Sequence, residues 1–286
     1  MSEHEEALTP AFVAVGHVTL DRFGAIERLG GAALYAAVTA HRLGLSAGIL
    51  TSHGDDFPLD LLPPQIEVAR VADGQTTRFE HRTEGSGRQM RVTARGRPLG
   101  AADVPEDWRA AAMAMLAPVV DEVDPLVGAA FSAATIGAAA QGYLRGLDRD
   151  GFIVAKAWEG ADLVLGRAQA LFLSLEDVGG DLASASEWFQ RVPIGVLTAG
   201  RDGAVLFVNG EPYSVRPHRA QEVDATGAGD VFAASFMIHY HRHGDPWRAA
   251  EAAACAAALS VEGEGWSTVP DAAALAAALA VYEREE

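Results

Sequence analysis

The chain has 286 residues, 49% of them apolar, and a formal net charge of −17. This length allows a sizeable core in one large domain or two small ones, and no run approaches the roughly 20 uninterrupted apolar residues of a membrane span. The acidic balance argues against a nucleic-acid partner, which needs a basic surface to displace phosphate counterions. Cys255 is the single cysteine, so no internal disulfide can form; in its alanine-rich stretch it reads as a small buried hydrophobe rather than a reactive thiol. Met1–Pro10 lacks the basic-then-apolar order of a signal peptide, and a cytoplasmic protein is the expectation. Lys156 is the only lysine, and the GxxxxGK[ST] phosphate loop is absent.

Phe12–Val18 reads as a buried strand ending in Gly16-His17. A short polar segment, Asp21–Arg28, follows it. Gly30-Gly31 opens an alanine-rich helix that runs to about Leu43 and stops at Gly44. Ala47–Thr51 is the next strand, followed by Gly54-Asp55-Asp56. A strand, a helix and a second strand in this order predict a parallel α/β sheet. Thr76–Arg82 and Gln89–Ala94 are polar, β-prone runs around Glu84-Gly85-Ser86-Gly87, which predicts a hairpin. A flap and an ordinary edge hairpin both fit its polarity. Arg88, Arg91 and Arg95 read as its solvated face, with phosphate contact as the alternative. In the second half, Leu171–Leu173, Ile194–Thr198 and Ala204–Val208 are predicted strands. Asn209-Gly210 turns the last of them into Tyr213–Arg216. Val231–His243, closed by Gly244, Trp247–Val261 and Ala272–Tyr282 are predicted helices. His239, His241 and His243 read as a cationic helix end rather than a metal site. No repeat, linker or boundary is visible, so residues 1–286 are expected to form a single domain.

Asp224-Ala225-Thr226-Gly227-Ala228-Gly229-Asp230 carries the chemistry, because an apolar helix follows it at once. Two glycines around a small residue let backbone N–H groups approach an anion closely. The helix adds its positive end and further unpaired donors. A transferring phosphoryl group needs such preorganised donors. Asp230, at the start of the helix, is placed to accept a hydroxyl proton. A glycine turn that merely caps a helix is the plainer reading of a generic GxGD.

The full DxTGAGD segment resembles the second signature of the ribokinase/PfkB carbohydrate kinase family. Further motifs fall in that family's order. Gly16-His17-Val18-Thr19-Leu20-Asp21 resembles its first-strand motif, with Thr19 where Asn is usual. Gly30-Gly31 is similar to its substrate-site glycine pair, and Gly54-Asp55-Asp56 to the GxD after its second strand. Thr198-Ala199-Gly200-Arg201-Asp202-Gly203 resembles the TxGxxG turn that lines its nucleotide site. Ser174-Leu175-Glu176-Asp177 stands where the family has NxxE; it also reads as a helix start with Ser174 capping Asp177. Thr76–Glu80 with Gly87–Gln89, and Gln141–Arg145, are similar to a compact subgroup that includes plant myo-inositol kinases, although Ala139 replaces the Asp found in many of that group.

The resemblance implies a ribokinase-like three-layer α/β sandwich with a mostly parallel central sheet and a small β-hairpin lid, with lid elements at about 22–29 and 76–94. It implies an ATP- and Mg²⁺-dependent transfer of phosphate to a sugar or polyol. Thr19, Asp21, Gly30 and Gly31 would hold the acceptor. Asp230 would be the base, and the N–H groups of Gly227, Ala228 and Gly229 the anion hole. Thr198, Gly200, Gly203 and Asp224 would border ATP. Asp177 would serve Mg²⁺, with Glu176 as the alternative. A monovalent-cation requirement stays open, as does the choice between monomer and homodimer. No nucleic-acid or membrane partner is expected. A nucleoside kinase and a catalytically silent binding protein are the rival readings. A dinucleotide-dependent oxidoreductase is disfavoured, because no GxGxxG follows the first strand.

Overall fold

The computed structural model describes residues 9–72, 74–84, 87–179 and 182–285. In chain order it forms β1 (Phe12–Val15), β2 (Thr19–Phe23), β3 (Ile26–Gly30), α1 (Ala32–Arg42), β4 (Ala47–Thr51) and β5 (Ile66–Arg70). There follow β6 (Thr77–Glu84), β7 (Gly87–Ala94), β8 (Met113–Leu116), β9 (Thr135–Ala139), and the short pair β10 (Arg145–Leu147) and β11 (Ile153–Ala155). The second half contains α2 (Ala161–Leu165), β12 (Ala170–Ser174), α3 (Leu182–Phe189), β13 (Ile194–Thr198), β14 (Ala204–Val208) and β15 (Glu211–Val215). Three helices close the chain: α4 (Ala228–His243), α5 (Pro246–Ser260) and α6 (Ala272–Tyr282).

Nine strands make one sheet in the order β15-β14-β13-β12-β9-β8-β1-β4-β5. Its strands from β13 to β5 are parallel, and β14 and β15 extend it antiparallel. The sheet is buried on both faces, as parallel strands require when helices cover them. β1 shows this most directly. Phe12 and Ala14 pack with α1, α4, α5 and α6, while Val13 and Val15 face Trp108, Phe131 and Tyr143 on the other side. The result is the expected three-layer α/β sandwich. No helix among the described residues is long and apolar enough to cross a membrane.

Two features of the fold differ from the sequence expectation. The Asp21–Arg28 segment is more than a short polar stretch: β2 and β3 form an antiparallel hairpin there, turning at Gly24 with φ 62°. This hairpin joins the predicted one in a four-stranded sheet, β3-β2-β6-β7, in which β2 pairs parallel to β6. Both expected lid elements, about 22–29 and 76–94, are therefore joined in one sheet. Its strands are linked by ion pairs, Arg22–Glu80 at 2.9 Å and Arg78–Glu27 at 2.6 Å, while Leu20, Phe79 and Val92 are buried in the main core. The turn residues Gly85 and Ser86 lie outside the described residues, as do the side chain of Arg88 and residues 1–8 of the N-terminal segment.

Helix α4 crosses the middle of the main sheet. A Cβ at Gly137 of β9 would lie 2.8 Å from Met115 Sδ and 2.9 Å from Met237 Sδ. Glycine there lets α4 sit close on the sheet, which sets the height of its N-terminus above the strand ends. The Asn209-Gly210 turn has φ 51° and 83°, both positive as a two-residue hairpin turn demands.

Candidate active site

The N-terminus of α4 is built around Gly227. Its φ is 79°, and a Cβ on it would lie 2.3 Å from the ring of Tyr35. Only glycine satisfies both the left-handed turn and that contact. The helix begins at Ala228, so Asp230 stands at the third position of its first turn. The Ala228 N–H is directed to Ala225 O at 3.2 Å, and the Val231 N–H to Gly227 O at 2.9 Å. Among the described residues, no backbone acceptor takes the N–H of Gly227 or Gly229. Two of the three predicted anion-hole donors are thus free, and the third makes a long internal bond.

Burial pushes the Asp230 carboxyl up to about 7; the Arg145 charge opposes this, and that of Asp177 adds to it. A carboxylate poised near neutrality is suited to accept a proton at physiological pH. Burial also pushes the Tyr35 hydroxyl up, reinforced by the charges of Asp224, Asp230 and Asp21. Asp21, distant in sequence from the other two, shares one locality with them around Tyr35 of α1.

Asp224 organises the loop that leads into the helix. Its Oδ1 accepts the Thr226 N–H at 3.0 Å, and its Oδ2 accepts the Gly265 N–H at 3.3 Å and Arg28 Nη1 at 3.0 Å. Burial raises this carboxyl but is outweighed by the bonds from Thr226 and Gly265 and the Arg28 charge, which hold it below the usual carboxylate range. Arg28 belongs to β3, so the ion pair ties the lid to the glycine loop before α4.

Two clefts meet at this loop. One, of about 540 Å³, is lined by Thr198, Gly200 and Gly203 of the β13–β14 turn and by Ala225, Ala228 and Gly229. Gly203, at φ 89°, has room for no Cβ, which would lie 2.3 Å from Val215 O. The far wall of this cleft is Ala254, Ala257 and Ala258, with Arg219 and His218 at its rim. Sequence reasoning missed these residues, although the small side chains of α5 recur at helical spacing and mark a face that something approaches.

The other cleft, of about 570 Å³, lies under the lid and is lined by Phe23, Arg28, His81, Asp224 and Glu264. Beside it, Thr19 Oγ1 donates to Asp21 Oδ1 at 2.8 Å. A Cβ at Gly30 would lie 2.4 Å from Asp21 Oδ2 and 2.8 Å from Thr19 Oγ1, and one at Gly31 would lie 2.3 Å from His17 O. The four predicted acceptor residues are therefore brought together, and the glycine pair makes their approach possible. His81 was missed. Its Nε2 lies 3.9 Å from Asp21 Oδ2, and its ring stacks on Phe23 at 4.2 Å. The Gly54-Asp55-Asp56 turn fastens the root of the lid instead of reaching the cleft: Asp56 accepts from Thr76 Oγ1 at 2.5 Å and Arg78 Nη2 at 2.7 Å.

Asp177 lies at the end of β12. Its Oδ1 accepts from Gln141 Nε2 at 2.9 Å and its Oδ2 from the Ser174 N–H at 2.8 Å, while Ser174 Oγ accepts the Asp177 N–H at 3.2 Å. The reciprocal capping turn is formed. It directs Asp177 inward, where its charge acts on Asp230, and leaves Glu176 exposed. Among the described residues, no group of three or more His, Cys, Asp or Glu side chains could hold a metal ion. Mg²⁺ held by one carboxylate, waters and donor phosphates needs no such group.

The family model for the pfkB family carbohydrate kinases matches residues 155–272, the stretch that contains both the β13–β14 turn and the α4 N-terminus. The cytidine kinase of Thermococcus kodakarensis is 24% identical over 251 residues, covering 80% of this chain and 88% of that protein. This chain is thus similar to the pfkB family carbohydrate kinases over residues 155–272. Its fold is ribokinase-like, as two solved structures show. Arabidopsis thaliana ribokinase complexed with ribose and ATP superposes with a TM-score of 0.72 at 18% identity, covering 95% of this chain and 99% of that one. A pyrophosphate-dependent kinase of the ribokinase family, complexed with a pyrophosphate analog and myo-inositol, gives 0.77 at 18% identity, covering 93% and 99%.

Proposed function

We propose that this chain is a ribokinase-family kinase that transfers the γ-phosphoryl group of ATP to a hydroxyl of a small sugar or polyol. One observation carries this reading: the Asp224–Asp230 loop stands between two clefts, with Asp224 lining the one under the lid and Ala225, Ala228 and Gly229 lining the other. The acceptor binds on the lid side, against Thr19, Asp21, Gly30 and Gly31. The donor lies along the β13–β14 turn, with its base against the alanine wall of α5. That wall supports a nucleotide donor, because pyrophosphate has nothing apolar to place there.

Asp230 accepts the hydroxyl proton as the acceptor oxygen forms its bond to phosphorus. The bond from that phosphorus to the bridging oxygen breaks, and ADP leaves with the electron pair. The free N–H groups of Gly227 and Gly229, with the positive end of α4, stabilise the charge on the transferring group. The long internal bond of the Ala228 N–H leaves it able to join them. Asp177 has lone pairs beyond its two internal bonds and can receive a water of Mg²⁺, which supplies charge neutralisation of the donor phosphates.

A nucleoside acceptor is the second reading. The Thermococcus kodakarensis relative is named a cytidine kinase, and the stacked Phe23–His81 pair lines the acceptor cleft. The test is a transfer screen with ATP or pyrophosphate against polyols, pentoses, hexoses and nucleosides. Mass spectrometry reads the phosphorylated product. ATP-dependent transfer to one polyol or sugar is the expected result. Transfer to nucleosides alone selects the second reading, and hydrolysis with no acceptor product overturns both.

A further inference from the structure

We propose that Arg145 is a catalytic residue that donates N–H groups to the transferring phosphoryl group and balances its charge. This rests on the phosphoryl-transfer reading above. Arg145 closes the 3₁₀ turn Ala140–Leu144 that leaves the end of β9, and it starts β10. The turn is fixed on three sides. Gln141 holds Asp177 at 2.9 Å, a Cβ at Gly142 would lie 2.2 Å from the Pro118 carbonyl, and the fully buried Tyr143 stacks on Trp158 at 5.4 Å. Arg145 thus projects from a rigid support next to the Mg²⁺-side aspartate.

Its partners are few. Arg145 Nη1 donates to Val119 O at 3.2 Å, and among the described residues it makes no ion pair within 4.0 Å. Most other arginines near the site are committed, while Arg219 stands at the rim of the donor cleft. Arg28 pairs with Asp224 and Glu264, Arg78 with Glu27 and Asp56, and Arg22 and Arg82 with Glu80. The single lysine, Lys156, pairs with Asp121 at 2.5 Å. Burial nevertheless lowers the Arg145 guanidinium, opposed by the charges of Asp177, Asp230, Glu122 and Asp21. Glu122 is itself satisfied by the N–H groups of His17, Val119 and Val120. A guanidinium that burial penalises, surrounded by carboxylates yet closed on none of them, is costly unless an anion completes its shell. The donor brings several negative charges into a site that already contains Asp21, Asp177 and Asp230. A guanidinium matches the oxygens of a phosphoryl group, and during transfer it gains charge-assisted bonds while no covalent bond of its own changes.

Three variants test the assignment, each checked for folding by its melting temperature. Arg145→Ala is expected to lower kcat by about 10³-fold or more, the lower end of the range of phosphoryl-stabilising arginines, with acceptor KM changing far less. Arg145→Lys should recover part of that loss, and guanidinium ion added to the Ala variant should recover part as well. The groups acting on Asp230 are Arg145, Asp177 and, from α1, Tyr35. Without the Arg145 charge, the acid limb of kcat/KM should move to higher pH in Arg145→Ala and stay near its place in Arg145→Lys. A folded Arg145→Ala enzyme with nearly wild-type kcat overturns the proposal. So does a loss that neither lysine nor guanidinium recovers and that leaves the acid limb in place, which marks a purely structural residue. Should Arg145→Ala fail to fold, Arg145→Lys decides: a folded variant with wild-type kcat overturns the contact, and a fall of about tenfold in kcat at steady KM supports it. Failure of the wild-type protein to transfer phosphate to any acceptor would count against the function itself and is distinguishable from all of these.

Discussion

The two sides of the candidate site are made of different material. The proposed donor side consists of backbone and small side chains: the Gly227 turn, the free N–H groups, the β13–β14 glycines and the alanines of α5. The proposed acceptor side consists of charged and aromatic side chains that three separate strands and the α4 loop bring together: Asp21, Arg28, His81 and Asp224. Backbone recognition suits a phosphate group, which is the same in every member of a kinase family. Side-chain recognition suits an acceptor, which has to be distinguished from others.

The largest test of this contrast is at the base between the two sides. Asp230→Asn should lower kcat at least roughly 10²-fold with much smaller changes in either KM. In the wild-type protein, kcat/KM should fall about tenfold per pH unit below the value of about 7 to which burial pushes this carboxyl. The sign for stability follows. The folded protein holds the Asp230 proton more tightly than the unfolded chain, so this group's contribution falls as pH rises from about 4 to about 7. Asp230→Asn should therefore melt higher than wild type at pH 8 and lose that advantage in acid. Unchanged turnover in the variant would remove Asp230 from the chemistry.

Next is the backbone side. Gly227→Ala forces a side chain into a φ of 79° and against the Tyr35 ring at 2.3 Å. A loss on the order of 2–4 kcal/mol in denaturant stability is expected from the left-handed conformation and the overlap together. Transfer should fall with it. Wild-type stability would mean that the loop relaxes and that its shape is not enforced from below.

Smaller still is the effect expected at the metal. Asp177→Ala should raise the Mg²⁺ concentration for half-maximal rate severalfold. An unchanged titration, together with a strong effect of Glu176→Ala, would transfer the role to the exposed neighbour.

The smallest effect is expected at the seam between lid and loop. Arg28→Ala removes the pairs to Asp224 and Glu264, at 3.0 and 2.9 Å. Partly exposed pairs of this kind contribute about 1 kcal/mol or less, so stability should barely move. Acceptor KM should rise while donor KM holds. A rise in donor KM instead would show that the ion pair shapes the phosphate loop more than the acceptor cleft.

The contrast also explains what could be read in the residues. β4, β13, β14 and α6 lie where sequence placed them, because each is a compact apolar run between glycine, proline or polar breaks. β8, with Met-Ala-Met-Leu, and β9, with Thr-Ile-Gly-Ala-Ala, were not legible. Alanine, methionine and glycine have little strand preference, and these segments extend because they are buried between β1 and β12. β2 and β3 were read only as a short polar segment and lid element, without strands. β3 pairs with β2, and β2 pairs with β6, about sixty residues away, with an ion pair across that seam.

The DxTGAGD segment is contiguous. A backbone cradle for an anion needs glycines and a helix start at fixed spacing, and local spacing is what a sequence displays. The sequence by itself therefore displayed the α/β class, the glycine turn at a helix start and Asp230 as the candidate base. Arg145, His81 and the Arg28–Asp224 tie were decided only when the chain folded. Each acts through a partner far away along the chain, and the burial and charge that give it a role exist only where the sheet, the lid and α4 converge.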